Sequence, residues 1–439
     1  MKRSRNVWRK RRMTYLRQLG ALACIWAATQ ICSAYSFLTH QQIIDLAWQD
    51  SIRPALLARF PGATESQLRL AHAFAYGGST IQDMGYYPFG HEFFSDLTHY
   101  VRTGDFIEAL LRDSTNVNEY GFAIGALSHY LGDNIGHQDA VNIATGIQFP
   151  ELAKKYGQEV TYDEAPHPHV RTEFAFDVNE LSHHRFAPAA YTRAIGMFVP
   201  RRLLERAFRE TYGLSLREVL GPERSAVQSY RSSLRSLLPH VAYAEVLLHR
   251  KQFPADFQDD DFAQYQARID QAAQAEGWAG TKRDKPGFRT HLMAILIFIV
   301  PKVGALSNLA IRGPNDAAEQ AYVKSVNRCL AQYDALLKQL AERPHDLLAL
   351  ENRDLDTGFK IKPGAYRLAD QTYAKLLDRI ASKPDQVASE SLRQNLLEYF
   401  GKPDAPNNVK RDERAWKRVQ EDLVALHRMP QRNSSETGR

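Results

Sequence analysis

Histidine and acidic residues recur at helical spacing in the N-terminal half of this chain. His129, Asp133 and His137 follow one another at intervals of four residues, and Glu173 follows His169 at the same interval. Positions i, i+4 and i+8 of a helix lie close to one stripe of its surface. Imidazole nitrogen and carboxylate oxygen are ligands that zinc prefers. Several such pairs in one segment predict a site for more than one metal ion.

The candidate ligands are concentrated in one region. Ten of the fifteen histidines lie in residues 40–184, and the other five are scattered over the 255 residues from 185 to 439. Any one of these side chains alone is more often a core or surface residue than a ligand, and their occurrence in a single ordered series favours a metal cluster. The candidates in chain order are His40, Asp83, His91, His99, His129, Asp133, His137, His167, His169 and Glu173.

The elements that must position these residues are predicted to be helices. Apolar residues recur at helical spacing through Tyr120–Leu131, and the end of this helix carries His129 and Asp133. The glycine-, proline- and aromatic-rich residues 77–90 are too irregular for a helix and predict a loop around Asp83. Because no strand-like alternation of any length occurs, the predicted fold class is all-α.

Residues 1–34 read as an export signal. They contain eight basic and no acidic residues, an apolar run and small residues before a cleavage point after Ala34. Without them the chain has 48 basic and 50 acidic residues, a net charge of −2 in place of +6. From the export signal we predict a secreted or periplasmic protein with no integral membrane span after signal removal. Cys329 is then the one remaining cysteine, which excludes an intramolecular disulfide.

The order and spacing of the candidate ligands resemble the zinc-dependent phospholipase C family and the related zinc-dependent single-strand nucleases. Three segments carry the resemblance within residues 35–180. They are Ser128–Asp133, the later His169–Glu173 motif, and Tyr35–His40, where an aromatic residue precedes a histidine by five positions. The resemblance implies a multi-helix, all-helical bundle with three zinc ions in a cleft, to which this chain adds a helical C-terminal half.

Carried over residue by residue, the resemblance implies three ligand sets. One zinc ion would be bound by Asp83, His99, His129 and Asp133. A second would be bound by His137, His169 and Glu173. The third would be bound by His40, Asp133 and two backbone groups of Tyr35, its amino group and its carbonyl. Signal cleavage after Ala34 would free this amino group. Asp83 and Asp133 are the candidate catalytic residues, and hydroxide formed from zinc-bound water would attack phosphorus in line with the leaving oxygen.

Two histidines compete for one position in the first ligand set. His99 follows Asp83 by sixteen residues, near the spacing of the family, and His91 follows a Pro-Phe-Gly sequence. This spacing favours His99 as the ligand, with His91 as a residue that shapes the cleft or hydrogen-bonds a ligand.

Three functional hypotheses remain, and the two enzymatic ones differ in their substrate. Phospholipase C-like activity, with a phospholipid or other phosphodiester substrate and peripheral membrane contact, is favoured by aromatic residues beside Asp83 (Tyr86, Tyr87, Phe89, Phe93 and Phe94). These residues could equally pack the helices around the site. A single-strand nuclease is the first alternative, and the net charge of −2 argues mildly against it. A non-catalytic, zinc-stabilised binding protein is the second alternative.

The predicted domain organisation follows from these patterns. Residues 1–34 form the signal, 35–185 the zinc-binding catalytic core, and 186–310 a helical extension that completes this core. Residues 311–400 form a C-terminal helical region, and 401–439 a polar, flexible tail.

Overall fold

The fold is known from a computed structural model. It describes residues 36–249, 259–280, 312–383, 389–402 and 404–429, together with Thr290 and Ala294. The predicted export signal, residues 1–34, and the candidate ligand Tyr35 lie outside the described residues.

The described residues form helices and contain no β-strand, which confirms the predicted all-α class. The α-helices are α1 (Phe37–Ala47), α2 (Arg53–Arg59), α3 (Glu65–Gly78), α4 (Glu92–Tyr100), α5 (Thr103–Arg112), α6 (Val117–Gly136), α7 (Asn142–Gln148), α8 (Pro150–Tyr156), α9 (Pro166–Ser182), α10 (Ala189–Ile195), α11 (Arg201–Tyr212), α12 (Leu216–Leu220), α13 (Glu223–Ser232), α14 (Leu238–His249), α15 (Asp260–Ala275), α16 (Asp316–Glu342), α17 (Arg367–Ala381), α18 (Glu390–Phe400) and α19 (Glu413–Arg428). Single π-helical turns cover Trp48–Ile52, His137–Val141 and Ser233–Leu237, and 3₁₀ turns cover Ile81–Tyr86 and Asn408–Arg411.

Helices α3 and α6 cross unusually closely, and this crossing positions one wall of the candidate site. The α3 helix starts at a capping box in which Thr64 and Gln67 satisfy each other's backbone N–H groups. At the crossing, Gly125 of α6 faces the backbone of Ala75, and a Cβ atom at position 125 would lie 2.1 Å from the Ala75 carbonyl oxygen. Only glycine permits this approach, which brings the end of α3 beside His129.

The C-terminal helices share the core of the N-terminal half. One cluster of buried apolar side chains extends through the described residues from Phe37 to Met429. The long helix α16 packs along α6, and the Tyr333 hydroxyl donates a hydrogen bond to the carbonyl of Ile124 at 2.8 Å. The residues beyond 311 therefore support the metal-binding helices directly.

The prediction of a flexible polar tail from residue 401 is wrong for residues 404–429. Helix α19 begins at the N-cap Asp412 and packs against α17. Val419 and Leu426 are 2 % and 0 % exposed. These apolar residues lie on one face of a helix whose other positions are mostly charged, so the polar composition concealed an amphipathic helix.

Among the helices that the structure describes, none is both long enough and apolar enough to cross a membrane.

We expect Gly125→Ala to destabilise the protein. Alanine favours a helix over glycine by about 1 kcal/mol, whereas overpacking against a backbone atom costs about 3 kcal/mol. The free energy of unfolding should therefore fall by about 2 kcal/mol in urea denaturation. Gly62→Ala is the matched control, because Gly62 is exposed and a Cβ there would meet nothing within 4 Å. Equal unfolding midpoints for the two variants would contradict the close crossing.

Candidate metal centre

Six helical elements bring eight of the predicted ligands to one buried region. His40 lies on α1, Asp83 on the 3₁₀ turn Ile81–Tyr86, and His99 on α4. His129 and Asp133 lie on α6, His137 begins the π turn that continues it, and α9 carries His169 and Glu173. Each of these eight side chains is at most 2 % exposed. The residues predicted as a loop around Asp83 thus contain a helical turn that holds this carboxylate inward.

Four of the histidines are oriented in the same way, by a backbone carbonyl oxygen at Nδ1. Because a carbonyl oxygen can only accept, Nδ1 carries a proton, so Nε2 is the nitrogen that can bind a metal ion when the imidazole is neutral, as in histidine metal ligands. The four contacts are His99 to Ser95 (2.8 Å), His129 to Ser79 (3.1 Å), His137 to Leu355 (2.6 Å) and His169 to Val160 (3.4 Å).

The first group of donors comprises Asp83, His99, His129 and Asp133. His99 Nε2 lies 3.3 Å from Asp83 Oδ1 and 3.3 Å from Asp133 Oδ2. His129 Nε2 lies 3.0 Å from Asp133 Oδ2 and 3.9 Å from Asp83 Oδ1. Asp83, His99 and His129 therefore lie close enough together to hold one ion, and Asp133 Oδ2 contacts both of these histidines.

His40 approaches the same carboxylate from the other side. Its Nε2 lies 3.2 Å from Asp133 Oδ1, and its ring stacks on that of His129 with the centroids 4.3 Å apart. The two oxygens of Asp133 thus face different histidines. This is the arrangement that a carboxylate needs in order to bind two ions at once.

His137, His169 and Glu173 form a separate group. Glu173 Oε1 lies 3.5 Å from His137 Nε2 and 3.1 Å from His169 Nε2. Although His137 continues the stripe of His129 and Asp133 along the chain, the structure pairs it with α9. Asp133 and His137 are therefore only four residues apart in the chain but belong to different groups of donors.

The donor set fits metal ions. Nε2 of His99, His129, His137 and His169, and both oxygens of Asp133, are buried and accept no hydrogen bond. Buried polar atoms are rarely left in this state unless an ion or water satisfies them. Zinc–ligand bonds of about 2.0–2.2 Å in a tetrahedron place neighbouring donors about 3.3–3.6 Å apart. Most of the separations measured here are close to that value.

The electrostatics of the groups differ. Burial opposes the charged form of His99, yet the carboxylates of Asp133 and Asp83 raise its pKa well above the ordinary value. The pKa of His129 is also raised, because the same two carboxylates outweigh its burial. At His169, burial lowers the pKa to about 4. Protons therefore compete with a metal ion at the first group, whereas His169 is already neutral at pH 7.

Asp177 is a functional residue that the sequence did not single out. It lies one turn beyond Glu173 on α9 and is fully buried. Its carboxylate accepts hydrogen bonds from the backbone N–H groups of Leu38 (2.8 Å) and Thr39 (3.0 Å) at the start of α1. A carboxylate at a helix N-terminus satisfies these amides, so Asp177 fixes the helix that carries His40. Its spacing of four residues from Glu173 was the available signal.

A loop from the C-terminal region is the second missed element. The backbone N–H of Leu355 donates to the carbonyl of His99 at 3.0 Å, and its carbonyl accepts from His137 as described above. The neighbouring Asp356 anchors this loop, because its Oδ2 accepts from the hydroxyls of Tyr100 (2.8 Å) and Tyr366 (2.6 Å). This loop thus links the first and second groups, although more than 180 residues separate it from Glu173 in the chain.

Two other histidines lie apart from these groups. His91 is exposed at the N-cap of α4, where its Nδ1 accepts from the backbone N–H of Phe93 at 3.2 Å. His72 stacks on Trp48 at 3.8 Å and faces Asp45. The structure therefore brings His99, and not His91, to the donors around Asp83.

A comparison with known families is consistent with this geometry. The family model described as zinc dependent phospholipase C matches residues 39–221, somewhat less than half of the chain, and confirms the resemblance drawn from the sequence. The matched segment contains all eight described ligand candidates and excludes the loop at Leu355. No curated protein and no solved structure matches the chain.

We expect zinc binding at the first group to release more protons than binding at the second. The raised pKa of His99 means that zinc must displace protons there, whereas His169, with a pKa of about 4, has already lost its proton at pH 7. Titration calorimetry in buffers of different ionisation enthalpy measures this release. His169→Ala leaves the first group intact and His129→Ala leaves the second, and equal proton release by these two variants would contradict the assignment.

We also expect Asp356→Ala to weaken the second group. Loss of the carboxylate removes the acceptor of two buried tyrosine hydroxyls and loosens the carbonyl that orients His137. Zinc binding at this group should weaken about 10–100-fold, the usual effect of losing a residue that orients a ligand. Retained zinc after dialysis against a mild chelator measures the change. Glu351→Ala, an exposed position in the same loop, should keep the full zinc content, and identical retention by both variants would refute the role of Asp356.

Proposed function

We propose that the protein is a zinc-dependent phosphodiester hydrolase of phospholipase C type. The match of residues 39–221 to the zinc dependent phospholipase C family model supports this proposal. The observation that carries this proposal is the position of Asp133. Its two oxygens face His40 on one side and His99 and His129 on the other. A purely structural zinc site does not need a shared carboxylate, whereas a hydrolytic site with adjacent ions does.

The protein's own contribution is to hold charge and orientation. When bound, the zinc ions supply the chemistry of metal hydrolases, in which water becomes acidic enough to attack phosphorus in line and charge on the leaving oxygen is neutralised. Asp83, Asp133 and Glu173 provide the negative charge that retains the ions. The backbone carbonyls at Nδ1 keep the imidazoles aimed inward, so that little reorganisation accompanies the reaction.

The proposal extends to three ions. Among the described residues, three buried groups could hold an ion: His40, His129 and Asp133; Asp83, His99 and His129; and His137, His169 and Glu173. A further predicted ligand of the group at His40, the amino group of Tyr35, lies outside the described residues. Signal cleavage after Ala34 would complete this group, which also agrees with a secreted or periplasmic location.

The surroundings of the first group support a phospholipid substrate. Of the aromatic residues beside Asp83, Tyr87, Phe93 and Phe94 are buried and pack the helices. Phe89 is 69 % exposed, and the half-buried ring of Tyr86 lies 6.0 Å from that of His99. An exposed phenylalanine close to the donors suits contact with a lipid surface.

The test combines substrate choice with one substitution. Wild-type protein should hydrolyse a chromogenic phosphocholine ester and phospholipid vesicles, and leave single-stranded DNA intact. Asp133→Asn should abolish hydrolysis and lower the zinc content by more than one ion per chain, because one side chain serves two groups. Asp270→Asn, at an exposed position on α15, is the control and should retain both.

Two results would overturn the proposal in different ways. Hydrolysis of DNA without hydrolysis of lipid would establish the nuclease alternative. Full turnover by Asp133→Asn would exclude the shared carboxylate from the reaction.

A further inference from the structure

A second site lies apart from the metal centre, in a cavity of about 1340 Å³ lined by residues of α1, α10, α13 and α14. None of the eight metal-ligand candidates lines it. Leu38 and Gln41 of α1 do, so the cavity lies against the same short helix that carries His40. The two sites are therefore separate, with α1 between them.

One helical face supplies most of the charge in this cavity. Arg224, Gln228, Arg231 and Arg235 all line it, and their intervals of four, three and four residues place them on one side of α13 and the π turn that follows. Three guanidinium groups are thus directed into one space. The spacing is visible in the sequence, but only the fold shows that it faces a cavity.

Arg231 is held in place by the protein. Its Nε donates to the carbonyl of Met197 at 2.8 Å, and its guanidinium lies 4.8 Å from the ring centre of Phe198. These contacts fix the plane of the guanidinium and use only one of its donor nitrogens. A planar guanidinium fixed in this way is pre-organised to bind an oxyanion through two hydrogen bonds.

The described lining of the cavity contains more basic than acidic side chains. Among its described lining residues, five are arginines and none is Asp or Glu: Arg193, Arg201, Arg224, Arg231 and Arg235. Arg201 pairs with Glu223 at 3.0 Å. Burial and the neighbouring charge of Arg235 both lower the pKa of Arg231. Guanidinium groups that repel one another in a concave space attract an anion of high charge density.

Apolar side chains also line the cavity. Those of Leu38, Phe186, Met197 and Leu234 are largely buried. A small inorganic ion would leave these side chains without a partner, whereas an amphipathic ligand would contact both them and the arginines. The combination of arginines and apolar side chains therefore selects a phosphate group joined to an apolar body.

We infer that this cavity binds a phosphate group carried on an apolar body, as in a phospholipid, at a site independent of the metal centre. The phosphate lies among Arg224, Arg231 and Arg235, and the apolar part lies against Phe186 and Met197. This site adds a second point of contact with phosphorylated ligands, beyond the proposed hydrolysis.

Binding of short-chain phosphatidate, measured by titration calorimetry, tests the inference. Arg235→Gln should weaken binding about tenfold, because a charge-assisted hydrogen bond is lost. Arg235 is exposed, so this change should leave folding intact, and Arg231→Gln should act in the same direction. Arg217→Gln, an exposed arginine outside the cavity, should bind like wild type.

The metal centre could also bind phosphate, and Asp133→Asn separates the two sites. Phosphatidate binding that persists in Asp133→Asn and is lost in Arg235→Gln establishes the arginine site, whether or not the protein hydrolyses lipid. Binding that is lost in Asp133→Asn and unchanged in the arginine variants overturns it.

Two further probes identify the source of the phosphate. Tighter binding of phosphatidate than of glycerol 3-phosphate assigns the site to a lipid, and equal binding assigns it to a soluble phosphate ester. Tighter binding of oligothymidylate than of either, lost in Arg235→Gln, would replace the inference with a nucleic-acid site.

Discussion

The carboxylate of Asp133 is the group on which the organisation of the site depends. It is buried without exposure to water, and although burial opposes its charge, the surrounding histidines hold its pKa well below the ordinary range. A buried negative charge is stable only beside compensating positive charge. Asp83 and Glu173 add two further buried acids. The protein therefore concentrates negative charge where only protons on histidine or metal ions can balance it.

The requirement for fixed lone pairs explains much of the surrounding architecture. Each of four imidazoles is oriented by a backbone carbonyl, and for His129, His137 and His169 this carbonyl lies outside the helical element that carries the histidine. The close crossing of α3 and α6 at Gly125 places Ser79, at the end of α3, beside His129, and the Ser79 carbonyl orients this imidazole. The loop at Leu355 orients His137 and contacts α4. Core packing thus also determines the orientation of the ligand candidates, because a shift of α3 relative to α6 would move the Ser79 carbonyl away from His129.

The net charge of the chain does not describe the charge around its individual sites. The whole chain carries a formal charge of +6, and the chain without residues 1–34 carries −2. Neither number describes the metal centre, which is acidic, or the cavity beside α13, which is lined by arginines. A protein with near-zero net charge can therefore hold two opposite environments on either side of α1. At the metal centre, burial preserves the acidic environment, because buried charges are poorly screened.

The sequence alone determined the all-α fold class and the resemblance to the zinc dependent phospholipase C family, and it proposed the ligand candidates that the structure brings together. Helical periodicity and the His-x-x-x-acid spacings are local properties, since they follow from 3.6 residues per turn. The same reasoning missed α19, because sparse apolar residues in a charged segment were read as a tail. It also missed Asp177 and the loop at Leu355, which act on α1, His99 and His137 from distant parts of the chain. Only the tertiary structure assigned His137 to α9, brought His99 and not His91 to Asp83, and directed Arg231 into a cavity. These outcomes depend on which helix faces meet, and that is decided by packing between segments far apart in the chain, which no local spacing encodes.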